Sequence, residues 1–171
     1  GNIINEPLVS PPGTQVVYSD LGYILLGVIL ENIYGEKLDT LFNQKVAVPL
    51  GLKRTRFIPS PLMGEGQGEG DLGKYAATEN CAWRKKIICG EVMDEHAWLM
   101  GGVAGHAGLI SVVTDIHRWL VEMDSARQEK SSLVTKKTFD LFCKIPNNRD
   151  LNKPFHTLGF DTPSLPSSSG T

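Results

Sequence analysis

From Leu21 to Leu30 the chain is apolar almost without a break, and this run limits the possible folds more than any other stretch. Leu21, Ile24, Leu25, Val28 and Ile29 recur at helical spacing. Leu26, Leu30 and Ile33 widen the stripe until most faces are apolar, which predicts a helix buried on nearly all sides. The run is broken by Gly22, Tyr23 and Gly27 and bracketed by Asp20 and Glu31. It falls short of the roughly 20 apolar residues that cross a bilayer, so it reads as a core helix. A chain of 171 residues is long enough to bury such a helix inside one domain.

The flanking sequence punctuates this helix. Pro7, Pro11 and Pro12 keep residues 1–17 extended, and Pro12-Gly13 marks a turn. Ser19 or Asp20 offers an oxygen to cap the helix start, and Gly35 a C-terminal stop. A second helix is predicted from Leu38 to Val46, ended by Pro49. Gly51 to Ile58 reads as a loop leading into a short strand, and 71–100 as irregular loops with short strands. A third helix starts near Ser111 or Thr114 with Asp115 in its first turn and Ile116, Trp119, Leu120 and Met123 inward. A fourth begins near Thr135 and buries Phe139 and Phe142, and a strand is expected around His156 to Phe160. Residues 59–70 form a Pro- and Gly-dense segment that reads as a surface-loop insertion. Loop closure grows costlier only slowly with length, so such an insertion is tolerable.

Charge and cysteine content exclude several functions. Lys and Arg number 17 against 19 Asp and Glu, a formal net charge of −2, which gives no electrostatic support for nucleic-acid binding. Cys81, Cys89 and Cys143 are an odd number without close metal-ligand spacing, so a disulfide framework is not predicted. His96 with His106, or Cys81 with Cys89, gives only a loose scatter for zinc, and no metal site is assigned. Gly101 to Gly108 lacks the strand-to-helix phosphate fingerprint. Its glycines instead let the backbone turn tightly or pass close to another segment. No signal segment is recognised, and the chain leaves its compartment open.

Ordered blocks carry a more specific signal. Pro12-Gly13-Thr14, Tyr18-Ser19-Asp20-Leu21-Gly22-Tyr23 and Leu25-Leu26-Gly27 come first. Pro49-Leu50-Gly51-Leu52, Ala76-Ala77-Thr78-Glu79 and Gly90-Glu91-Val92-Met93-Asp94-Glu95-His96-Ala97 follow. Gly101-Gly102-Val103-Ala104-Gly105-His106-Ala107-Gly108-Leu109 and Gly159-Phe160-Asp161-Thr162-Pro163 complete the order. This succession resembles the serine hydrolase family of class C β-lactamases and low-molecular-weight penicillin-binding proteins. Met93 stands where members often carry His, and His96 where they often carry Asn.

The resemblance implies an α+β fold of the serine β-lactamase/transpeptidase type, with 1–171 as a partial domain, mainly the helical subdomain with a few strands. It implies acyl-enzyme chemistry on amide, lactam or ester bonds. The substrate class is peptidoglycan-like peptides first, with β-lactams or small esters behind; no organic cofactor or metal is implied. Tyr18 takes the proton-relay role and Asp20 that of its polar partner. The residues alone also allow Tyr18 to be a packing aromatic and Asp20 a helix cap. An exported or periplasmic parent is one reading the resemblance allows.

Two family elements are not found. No serine is followed three positions later by lysine, so the Ser-x-x-K nucleophile element, which lies N-terminal to the Tyr-Ser-Asp block in the family, is missing from 1–171. The Lys- or His-Thr-Gly element is missing as well. His156-Thr157-Leu158-Gly159 imitates it, but the extra Leu158 reverses the face that the next strand residue presents. Gly159 to Pro163 also matches a block preceding the true element. The expected state of the isolated chain is inactive, and the alternative is a catalytically incompetent homologue that at most binds ligand.

Overall fold

A computed structural model of the chain describes residues 5–15, 17, 19–58, 75–145 and 156–162. They fall into two units, Gly1–Asn5 with Ser19–Arg118 and Glu6–Tyr18 with Trp119–Thr171. The predicted loop insertion at 59–70 lies outside the described residues.

In the first unit the apolar run forms helix α1, Asp20–Tyr34. Gly35 ends it in the left-handed region at φ 68°, where a residue without Cβ is favoured, and donates its N–H to the Glu31 carbonyl at 2.8 Å. Ser19 takes the extended cap position, but its side chain makes no capping hydrogen bond. The helix is therefore where its periodicity places it, but its predicted burial is not observed. Only Ile24 and Gly27 are buried, while Leu26 is 53% and Ile33 70% exposed. An all-round apolar helix needs neighbours on every side, and the described residues cover one side of α1.

The second helix does not stop at Pro49. Helix α2, Leu38–Phe42, passes through a π-helical turn, Asn43–Ala47, into α3, Val48–Leu50, and ends at Gly51 with φ 62°. Proline breaks a helix interior because its missing N–H and its ring disrupt the preceding turn. The π turn resets the hydrogen-bond register, so Pro49 falls in the first turn of α3, where no N–H is needed.

Strand β1, Arg56–Phe57, pairs antiparallel with β4, Leu109–Ile110, with Phe57 opposite Leu109. Strands β2, Ala77–Cys81, and β3, Lys86–Cys89, form an antiparallel hairpin that buries Ile88 completely. Helix α4, Glu95–Leu99, follows, and Val92, Ala97 and Ala104 form a small core with Trp98 and Ala107 against it. Helix α5 runs from Val113 to Arg127 with Asp115 in its first turn, as expected. Buried Asp115 accepts hydrogen bonds from the Arg54 N–H at 2.7 Å and the Thr55 hydroxyl at 3.0 Å, tying the lead-in to β1 to the start of α5. The predicted inward face of α5 is corrected: Ile116 and Leu120 are exposed, and Asp115 and Ala126 are its buried residues.

In the second unit, Pro12-Gly13 makes the expected turn, with the Thr14 N–H and hydroxyl both donating to the Pro11 carbonyl. Helix α6, Lys136–Cys143, is capped by Thr135, whose hydroxyl oxygen accepts from the Thr138 N–H at 3.2 Å. Phe142 is exposed rather than buried, and Phe139 is half-buried. The strand expected at 156–160 is a tight turn instead: His156 and Asp161 form an isolated bridge, and the Thr157 hydroxyl oxygen accepts from the Phe160 N–H at 3.0 Å.

Candidate functional site

The site is built where α1 begins. Asp20 opens the helix and is half-buried. Tyr18, the other predicted site residue, lies outside the described residues. What reaches Asp20 from the rest of the unit is the glycine-rich loop 101–108, and the backbone shows how. A Cβ on Gly105 would lie 2.0 Å from the Tyr23 carbonyl oxygen, while one on Gly27 would meet the Gly105 nitrogen at 3.2 Å. The loop and α1 thus touch backbone to backbone, at a distance that only glycine permits. His106 follows Gly105 directly, so this contact fixes its position near the helix start.

The His106 side chain is only 3% exposed, and its Nε2 lies 2.8 Å from Asp94 Oδ1. The same oxygen accepts the Ala97 N–H at 2.7 Å, so Asp94 caps α4 and holds the imidazole at once. A ring nitrogen of His106 and carboxylate oxygens of Asp94 and Asp20 lie within 4.8 Å of one another. Such spacing is also seen around cations. Here, however, Asp94 Oδ1 already accepts two hydrogen bonds and the imidazole is turned to it, which makes Asp94 and His106 a hydrogen-bonded pair with the Asp20 carboxylate nearby.

Burial alone would push the Asp94 carboxyl up. The Ala97 N–H and the His106 ring outweigh it, and the group sits below its ordinary value of 3.8. Asp94 is therefore a carboxylate at neutral pH. With no proton of its own to give, it requires one on His106 Nε2. A carboxyl depressed in the folded state adds stability above its unfolded value, and that stability is lost as pH falls through the folded value. Urea unfolding of the chain in dilute solution should accordingly show stability dropping below about pH 4. Asp94→Asn should flatten this acid limb; an unchanged limb would remove Asp94 as a cause.

A second layer holds Asp94 in place. The Arg84 side chain, 4% exposed, extends from the β2–β3 turn and donates to the carbonyls of Val92, at 2.9 Å, and Met93. Its guanidinium lies 5.4 Å from the Trp98 ring and 5.9 Å from Trp83. Buried Glu91 accepts from Trp98 Nε1 at 2.9 Å and pairs with Lys86 at 2.6 Å. The segment leading into Asp94 is thus gripped through its own carbonyls, which a forked guanidinium can do and a lysine cannot.

Sequence reading assigned site roles to Tyr18 and Asp20, and weighed His106 only as a zinc ligand that lacked close spacing to others. The structure brings Asp20, Asp94 and His106 together, while His156 belongs to the other unit. The signal that links them is Gly105, since a glycine immediately before a buried histidine marks a backbone that must approach another. Beside the cluster, an apolar cavity of about 800 Å³ runs along α1, lined by Tyr23, Leu26, Leu30, Phe42 and Phe57 and reaching His106. Among the described residues no helix is long and apolar enough to cross a membrane.

Comparison with known proteins agrees with this architecture. The family model described as Beta-lactamase matches residues 2–162. An N-acetylmuramyl-L-alanine amidase of Bacillus subtilis (strain 168) is 38% identical, over 80% of this chain and 32% of its own length. A putative D-alanyl-D-alanine carboxypeptidase of Escherichia coli (strain K12) is 33% identical, over 91% of this chain and 41% of its own. Among solved structures, a penicillin-binding protein from Bacillus halodurans superposes with a TM-score of 0.62 at 15% identity, covering 96% of this chain and 44% of that one. The octameric penicillin-binding protein homologue from Pyrococcus abyssi gives 0.57 at 20% identity, covering 90% and 31%. The chain therefore spans about a third to somewhat under half of the length of these relatives.

Proposed function

The chain belongs to the β-lactamase family of serine hydrolases, and from that premise we propose that it supplies one wall of an acyl-transfer site for peptides ending in D-amino acids. The observation that carries this reading is the placement of Asp20 at the start of α1 against the Asp94–His106 pair, beside an apolar cavity. Acyl transfer needs an activated hydroxyl, a proton acceptor and donors for the oxyanion. Tyr18 passes the proton between the nucleophile and the leaving group, and Asp20 holds the cationic or amide group that faces it. The names of relatives that act on D-alanyl-D-alanine or muramyl-L-alanine linkages favour a peptidoglycan stem peptide over a small ester.

On this reading the nucleophile and its lysine come from outside residues 1–171, and a phenol without a nearby cation is a poor base at neutral pH. The 171-residue chain should then take no covalent label from a fluorescent penicillin. A longer protein that contains this segment together with a Ser-x-x-K element should be labelled, and changing that serine to alanine should abolish the label. Stable labelling of the 171-residue chain would show that a nucleophile lies within it and would overturn the assignment. If the longer protein also fails to react with penicillin and with peptides ending in D-Ala-D-Ala, the segment belongs to a homologue that only binds ligand.

A further inference from the structure

We propose that Asp94 and His106 act as a positioning pair for Asp20, setting the orientation of that carboxylate. The inference rests on the reading of Asp20 as a site residue and adds two residues to it. Capping α4 requires only the Asp94 carboxylate, so the cap does not account for His106. A histidine buried to this degree costs solvation that a single hydrogen bond only partly returns. Nor is the ring satisfied: Nδ1 is buried and has no hydrogen-bond partner among the described residues. A packing role would be met more cheaply by an apolar side chain of similar size.

The geometry gives the ring a different use. Nε2 carries the proton and is committed to Asp94, which fixes the ring plane and the tautomer. A ring nitrogen lies within 4.8 Å of an oxygen of each carboxylate, close enough for charge coupling to both. Protonated, the ring offsets two negative charges; neutral, it leaves the Asp20 and Asp94 carboxylates within 4.8 Å of each other without that offset. Other charged or titratable groups near the pair among the described residues include His96 in the first turn of α4, and Lys45, Tyr23 and Tyr34, which line the cavity that His106 also reaches. The backbone contact at Gly105 steadies the His106 half of the pair, and the Arg84 grip on residues 92 and 93 steadies the Asp94 half.

The test uses a longer protein that contains this segment together with a Ser-x-x-K element, and has two readouts. In the first, the His106 ring is followed by NMR across pH in the unaltered protein and in Asp20→Asn, a change outside the pair. Loss of the Asp20 charge is expected to lower the His106 midpoint by more than about 0.5 pH unit; an unmoved midpoint overturns the proposal. In the second, Asp94→Asn and His106→Gln are assayed on a peptide ending in D-Ala-D-Ala. Each should lower kcat about tenfold or more with KM nearly unchanged, and each should add less than about twofold once Asp20→Asn is present. Losses that multiply with Asp20→Asn would make the pair merely structural. A shifted midpoint in a protein that turns over no such peptide would instead reject the acyl-transfer reading and leave the coupling standing.

Discussion

Gly105→Ala is expected to destabilise the chain by more than about 3 kcal/mol, an effect at the far end of what one methyl group can do. The added Cβ would sit 2.0 Å from the Tyr23 carbonyl oxygen and 2.9 Å from its carbon. Both are backbone atoms inside α1, so no flexible side chain can swing aside. Either the glycine-rich loop must lift off the helix or the helix must bend, and both movements pull His106 away from Asp20. Gly22→Ala is the control. It lies in the same helix, a Cβ there would meet nothing within 4 Å, and exchanging a helical glycine for alanine should add up to about 1 kcal/mol. Urea unfolding of both variants in dilute solution reads the contrast. If Gly105→Ala unfolds within about 1 kcal/mol of the unaltered chain, the backbone contact is not what holds loop and helix together.

That contact also shows what the sequence could and could not reveal. Helix α1 was legible because an apolar stripe and a C-terminal glycine are local signals, and both act on the residues that carry them. The ordered blocks likewise placed the family and the α+β fold, which the comparisons bear out. The meeting of Asp20, Asp94 and His106 was not legible, because it depends on a loop and a helix about 80 residues apart. Glycines at 27 and 105 carry that information, but a glycine in sequence does not say which backbone it makes room for. Pro49 misled for a related reason. Its breaking effect depends on hydrogen-bond register, and a π turn six residues earlier changes that register. The burial of α1 and α5 was overestimated because periodicity reports which face is apolar, not whether anything covers it.

The uncovered face of α1 leads to the second large effect, self-association of the 171-residue chain. Leu26, Ile29, Leu30 and Ile33, which share one side of the helix, are all between two-fifths and seven-tenths exposed, and the apolar cavity runs beside them. Covering the exposed part of these four side chains gains roughly 5 kcal/mol for each copy, or about 10 kcal/mol for a pair. Against an association cost of about 4 kcal/mol or more, this leaves a dissociation constant of tens of micromolar or weaker. Sedimentation velocity across that concentration range should show the average mass rising, and a hydrophobic dye should bind at the dilute end and be displaced as copies pair. Leu26→Glu with Leu30→Lys places opposite charges one turn apart on the exposed side, where they support the helix, and should leave the chain monomeric throughout. A chain that stays monomeric without these changes, and binds no dye, would mean that α1 closes its own apolar face in a way its exposed side chains do not account for. If instead association is strong in this chain and absent from a longer protein containing it, the face of α1 is where the additional chain packs, and the wall that carries Asp20 is completed from that side.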